Sequence, residues 1–526
     1  MDRNDQAAWW MLHLINAHWL ACCRIQLSPS NSTPHSSAVL FAMMALRRHV
    51  NFWPIVSLIA LCVFVFWPTL QYDYVNWDDP AYIWFNELIT SWSLANLSGI
   101  ATETVTRNYA PLTILSYLID HTFWGMNPGG YHFSNILLHA LNGALVFVLI
   151  RQLTGNRATA WLTAALFLIH PIQLETVAWI SSRKGLLSGA FMLAAVIVRT
   201  RKERRAADDA WYIGWLAAAL LSKALAVVVP PIVLLYDVLV RRERFADAFV
   251  RQVIPGFLSL LLLLHTMGAQ NSVLGGVRGH MSLPLWQILV VDMTILARYI
   301  RMMCWPSDLC VLYDPPTSGI FIPAALSTLA WGVFTCWTWR RRHQQPLLLL
   351  GLAAFLLLLF PVLNFFRITT LMNDRYLNLP SIAFFALFAS MLHQGTALCV
   401  ERLGRIAPKI TSTSHSPSIM PALLQGWITS QRILSTTLAL ATVVAAIAVT
   451  RSHLPVWQDS LTLWSHTRVN APQLAVVRIQ MALTLDERGY TEEAMRELLT
   501  ALRDCDPDEG DEQRIQLMLE EWSMAM

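Results

Sequence analysis

Charged side chains are scarce in this chain. Asp, Glu, Lys and Arg make up 14% of its 526 residues, while 55% are hydrophobic. A soluble globular domain carries roughly 25% charged residues, so the composition excludes an ordinary soluble enzyme and predicts a polytopic membrane protein. The formal net charge, +4, is too small to argue for nucleic acid as a partner. Cysteine is also sparse and irregular: Cys22, Cys23, Cys62, Cys304, Cys310, Cys336, Cys399 and Cys505 contain no CxxC pair and no Cys/His cluster. That removes a disulfide framework and a cysteine-based metal site from consideration. Most lie in apolar runs and read as small core residues. Cys304 and Cys310 alone are spaced to form a bridge, provided their loop faces an oxidising compartment. Trp, in contrast, is abundant at 22 residues, which suits a protein with two membrane–water interfaces to anchor.

Charge placement predicts the topology, because basic loops face the cytoplasm. Residues 1–45 read as an N-terminal extension: a short Trp-rich run, a Ser/Pro-rich linker, and then Arg47-Arg48. Eleven spans follow: Phe52–Leu70, His132–Leu153, Ala158–Leu168, Leu186–Val198, two within Trp211–Val240, Ile254–Met267, Ile320–Trp339, Leu347–Leu363, Ser381–Leu398 and Ile433–Val449. The basic clusters Arg151–Arg157, Arg199–Arg205, Arg241–Arg244 and Arg340–Arg342 all fall on one side. The tightest pair is Trp211–Val240, about 30 residues for two crossings that each need ~20; Ser222-Lys223 or Pro230-Pro231 marks its break. Leu285–Ile300 is apolar but carries Asp292 and Arg298, so it reads as lying along the membrane or re-entering it. The N-terminus is expected inside and the C-terminus outside, in a bacterial inner membrane with a periplasmic tail.

After residue 450 the composition turns soluble. Ala482, Leu485, Gly489, Ala494, Leu498, Ala501 and Pro507 have the small/large spacing of a tetratricopeptide helix pair. One such pair cannot bury its own faces, so Trp457–Asn470 and Glu512–Trp522 are expected to flank it. Residues 451–526 thus read as a small TPR-like domain, either docking a peptide or capping the last span.

The chemistry concentrates on the external side. Asn76-Trp77-Asp78-Asp79-Pro80 places two adjacent carboxylates beyond the first span, where Asp is costly to bring near hydrocarbon. A solvated loop that merely ends a helix is the alternative reading. His170, Glu175, Arg183, Lys184, Lys223, Arg107 and Arg375 fall on the same side. Cations hold a phosphate, and a carboxylate takes a proton from an attacking hydroxyl. The alternative is that each charge snorkels or solvates separately.

In order along the chain, Asn76–Pro80, Asn108–Thr113, Gly130–Asn142, His170–Trp179 with Arg183-Lys184, Ser222-Lys223, Arg298-Tyr299, Trp305–Leu309, Asp374–Ser381 and Trp457–Trp464 resemble the bacterial relatives of the transmembrane-and-tetratricopeptide-repeat O-mannosyltransferases, within the GT-C glycosyltransferase superfamily. The resemblance covers roughly residues 45–507. It implies an all-α GT-C-like bundle over 46–450 that moves a sugar, mannose or another hexose, from a polyprenyl-phosphate carrier to an acceptor hydroxyl, protein Ser/Thr being the implied acceptor. It also implies that Asp78 and Asp79 are catalytic, one as general base and the other orienting the acceptor or binding a cation. No cofactor beyond the lipid-linked donor is called for, and a divalent metal is optional rather than indicated. The chain departs from the family pattern in having Gly185 where an acidic residue is common and Gln173 where His is common. A competing reading is a non-catalytic scaffold that recruits periplasmic proteins through the tail. A lipid-linked sugar transporter fits less well, because transporters place their sites near the midplane.

Overall fold

The computed structural model describes residues 52–106, 108–271, 283–364, 370–406, 419–505 and 507–525. Pro54–Met526 form one compact unit; the expected extension, residues 1–45, lies outside the described residues. The regular elements described are helical, with a single β-bridge between Val105 and Asn108.

Among the described residues, seven helices are long and apolar enough to cross a membrane: Phe52–Gln71, Pro128–Thr154, Ile180–Arg199, Phe245–Thr266, Phe321–Arg340, Ser381–Val400 and Ser430–Trp457. The protein is therefore a multi-pass integral membrane protein. The other expected spans are shorter or broken. Arg157–Ile169 and Pro171–Ala178 are bent by 55°, and Ala224–Leu239 and Pro346–Val362 are short apolar helices. The crowded Trp211–Val240 segment breaks where the first of the two predicted signals lies. Asp208–Ser222 stops at Lys223, whose backbone is extended, and Val229–Leu239 restarts with proline in its first turn, where the missing N–H costs nothing. Leu285–Cys304 is a continuous helix outside the seven.

Two stretches between the expected spans are helical as well. The external segment between the first two spans contains the helices Leu94–Thr102 and Pro111–Trp124. The last span belongs to a helix, Ile419–His453, that begins well before Ile433. The conditional Cys304–Cys310 bridge is not formed: both are free thiols, Cys304 exposed and Cys310 buried.

The centre of the bundle is built on Pro128–Thr154. Asn127 caps its start by accepting from the Gly129 N–H at 3.0 Å. Gly155, at φ +69°, ends it in the left-handed region, which glycine enters without a Cβ penalty. Asn156 then caps Arg157–Ile169, so the two helices reverse within a few residues. They pack closely: a Cβ on Gly143 would lie 2.5 Å from the Leu168 side chain. Buried amides on this central helix satisfy the broken backbone opposite. Asn135 donates to the Trp179 carbonyl at 3.1 Å, and Asn142 to the Leu186 carbonyl at 2.9 Å.

The basic clusters are more than orientation signals. Asp237 is fully buried and pairs with Arg199 at 3.2 Å and Arg204 at 2.7 Å, with Arg241 at 3.6 Å. This network ties the end of Ile180–Arg199 to the end of Val229–Leu239. In the tail, the helices Ala475–Glu487, Thr491–Asp504 and Glu509–Ala525 enclose Ile479, Ala482, Ala494, Leu498, Ala501, Ile515 and Trp522. Ser460–Asn470 precedes them, so flanking helices do cover the pair as expected. Gly489, at φ +81°, makes the turn.

Candidate active site

The two adjacent carboxylates have different environments. Asp79 is buried, 1% exposed. One of its oxygens accepts from the Val75 N–H at 3.0 Å; the other accepts from the Ser181 N–H at 3.0 Å and from the Ser181 hydroxyl. Burial pushes its carboxyl up to about 6, against the pull of those donors and with a small push from Asp78. Asp78 remains 28% exposed along its side chain and meets one cation, Lys184, at 3.3 Å. The Asp78 carbonyl accepts from the N–H groups of Ala81 and Tyr82, so its backbone starts the helical turn Pro80–Trp84 while its carboxylate points away with lone pairs available.

Lys184 sits over two rings, 5.0 Å from the centre of Tyr82 and 5.9 Å from that of Trp179. Arg375 lies over the same Trp179 ring at 5.3 Å, so one indole gathers both cations. Arg375 is anchored from behind: Glu175, fully buried, takes its backbone N–H at 2.8 Å and its guanidinium in an ion pair. Lys223 completes the group. No hydrogen bond or ion pair engages its ammonium among the described residues. Burial and the charges of Lys184 and Arg375 push it down to about 7, with Glu175 opposing. Three cations that repel one another, one of them without a partner, form an incomplete electrostatic arrangement that an anion would complete. Beside them Gly185 faces open space: a Cβ there would meet nothing within 4 Å.

Not every predicted residue joins this group. Arg183 turns inward, 1% exposed, and its donors are engaged by Asp120 at 2.6 Å, by Asn135 and by the Tyr131 carbonyl. His170 caps the turn after the bend, accepting from the Ile172 N–H at 3.3 Å, and packs against the Phe385 ring at a tilt of 44°. Arg107 lies outside the described residues. Ser181, Trp179 and Tyr82 escaped the sequence reading as site residues. Ser181 could have been suspected only from its place two residues before the Arg-Lys pair; Trp179 closed the His170–Trp179 motif without a role assigned to it, and Tyr82 gave no signal.

The last element is the tail. Asn76 donates to the Gln480 carbonyl at 3.2 Å and to the Thr484 hydroxyl at 2.9 Å, and accepts from the Trp464 indole N–H. The tail therefore packs on the acidic loop itself.

Fold and site together define a helical membrane protein with a carboxylate–cation cluster held between membrane helices and the acidic loop. No protein-family model matches the chain. It is similar to protein O-mannosyl-transferases: TMTC3 of Mus musculus (28% identical over 198 residues, 35% of this chain and 21% of that protein), TMTC1 of Homo sapiens (36% over 104 residues, 20% and 12%) and TMTC2 of Homo sapiens (28% over 184 residues, 33% and 22%). The matches thus span about a fifth or less of the length of these relatives. Among solved structures, ArnT from Cupriavidus metallidurans in the apo state aligns with a TM-score of 0.39 at 16% identity, covering 83% of this chain and 81% of ArnT.

Proposed function

We propose that the protein is a membrane glycosyltransferase that moves a sugar, mannose or another hexose, from a polyprenyl-phosphate carrier to an acceptor hydroxyl, with protein Ser/Thr as the acceptor. The observation that carries this reading is the pairing of an accessible carboxylate, Asp78, with the cations Lys184, Lys223 and Arg375. The similarity to protein O-mannosyl-transferases supports the choice of sugar and acceptor.

In this mechanism Asp78 accepts the proton of the acceptor hydroxyl as its oxygen attacks the anomeric carbon. The bond from that carbon to the phosphate oxygen breaks, and the carrier phosphate leaves with its new charge held by Lys184, Lys223 and Arg375. Displacement from the opposite face inverts the anomeric centre. Asp79 has no free lone pair aimed outward; its part is to fasten the loop to Ser181 so that Asp78 faces Lys184. Arg183 supports the same wall from within, paired to Asp120. Reaction at the external face, with the C-terminal helices on that side, follows from the charge rule.

The test compares glycans on exported proteins and envelope lipids, by mass spectrometry, from cells carrying wild type, Asp78→Asn or no protein at matched expression. A hexose-sized mass present only with wild type establishes the transferase and names the acceptor. Identical glycans in all three put the scaffold reading ahead.

A further inference from the structure

We infer that Asn76 and Trp464 are positioning residues through which the C-terminal helices fix the location of Asp78; this rests on the transferase reading above. The segment Tyr72–Trp77 has no helix of its own to hold it. Its Asp73 N–H donates to the Gln458 carbonyl at 2.9 Å, and its Asn76 N–H to the Ser460 hydroxyl at 2.9 Å. Trp77 lies against the Trp464 ring, centres 5.4 Å apart. The described hydrogen bonds of the Asn76 side chain all go to the tail: to the Gln480 carbonyl, to the Thr484 hydroxyl, and from the Trp464 indole N–H. Asn76 is 6% exposed and Trp464 is fully buried, so water does not replace these partners.

Asp79, three residues on, is fastened to Ser181 at the start of a membrane helix. Asp78 is therefore held between two anchors of different origin, one on the tail and one on the bundle. Among the described residues, its own side chain has Lys184 as its one ionic partner. Releasing the tail anchor removes the partners of Asn76 and Trp77 and leaves this end of the span held by the buried Tyr74 and Val75. A displacement of about 1 Å in a reacting group costs roughly 100-fold in rate. The tail is in this sense part of the active-site frame, although none of its residues need touch the sugar.

The test uses the full chain in detergent. Trp464→Phe removes the indole donor and keeps the ring; Thr484→Val removes the hydroxyl at nearly constant shape; Thr484→Ser keeps it. For Trp464→Phe, kcat with a polyprenyl-phosphate hexose is expected to fall at least tenfold, and for Thr484→Val severalfold, with donor KM within twofold of wild type. Amide exchange over residues 74–82 should quicken at least tenfold in the same two variants, while Thr484→Ser restores both readouts. Wild-type kcat and unchanged exchange in Trp464→Phe overturn the inference. So does a rise in donor KM at constant kcat, or faster exchange throughout the bundle, which marks a merely structural contact. If wild type itself transfers nothing, the transferase reading fails, and local exchange over 74–82 alone decides whether the tail anchors the loop.

Discussion

Asp79 accepts two hydrogen bonds from Ser181, one from the backbone N–H at 3.0 Å and one from the hydroxyl, while its neighbour Asp78 leaves its carboxylate toward Lys184. Adjacent and chemically identical residues thereby have separate environments, and the proposed mechanism gives them separate tasks. Asp78→Asn should lower transfer by about 100- to 10,000-fold, the usual worth of a general base, and leave the thermal midpoint nearly unchanged. Asp79→Asn must turn an amide N–H toward a donor it cannot accept from, which should cost about 1–3 kcal/mol of stability. Activity assays and thermal denaturation of the two purified variants separate these outcomes.

The lowered Lys223 predicts a pH dependence. A sugar phosphodiester donor does not titrate near neutrality, so the proton on Lys223 is the variable. With its ammonium at about 7 in the folded protein, kcat/KM for the donor should fall as pH rises from 6.5 to 8.5. Lys223→Arg, which does not titrate in this range, should flatten that limb. The stability effect has the opposite sign. The unfolded chain keeps this proton up to about 10.4, so between pH 7 and that value it binds more protons than the native state. Stability from this residue therefore rises with pH across the window, and Lys223→Met should abolish that slope.

Arg183 and Asp120 form a buried pair at 2.6 Å, so Arg183 should behave as a stabilising element. Arg183→Met strands a buried carboxylate and is expected to cost about 3–5 kcal/mol. The double change Arg183→Met, Asp120→Leu should recover much of it. Chemical denaturation of both checks this; donor KM in the folded double variant should stay near wild type.

Glu175 orients Arg375 through its backbone and its guanidinium. Glu175→Gln keeps the shape and loses the charge. Arg375 then loses its fixed orientation over Trp179, and donor KM is expected to rise about tenfold, about 1.4 kcal/mol of binding. Steady-state kinetics at fixed acceptor measures it.

Much of the bundle was legible in advance because apolar runs and basic clusters obey local rules. Phe52–Gln71, Phe321–Arg340 and Ser381–Val400 lie where the hydropathy placed them, and Lys223 marks the break in the crowded pair. The helices Leu94–Thr102 and Pro111–Trp124, of 9 and 14 residues, were missed because both are shorter than the ~20 residues a span needs, and the reading followed spans. The basic residue Arg199 was read only as a topology signal, since its partner Asp237 is 38 residues away.

At the site, charge beside a bilayer is costly and needs a reason to be there, which singled out the acidic pair and the cations as candidates; the structure brings Asp78, Lys184, Lys223 and Arg375 together. The sequence by itself determined that this is a multi-pass helical membrane protein and that Asp78, Asp79, Lys184, Lys223 and Arg375 deserve suspicion. It could not assign roles within Asp78-Asp79, nor separate Arg183 from Lys184. Those differences depend on which partner each side chain meets: Ser181 donates to Asp79, while Asp120 and the Tyr131 carbonyl accept from Arg183, and all three are distant in the chain. Only the tertiary structure brought Trp464 and Thr484 to Asn76, 388 and 408 residues away in the chain, because hydrogen-bond partnership depends on distance and angle in space and leaves no local mark in sequence.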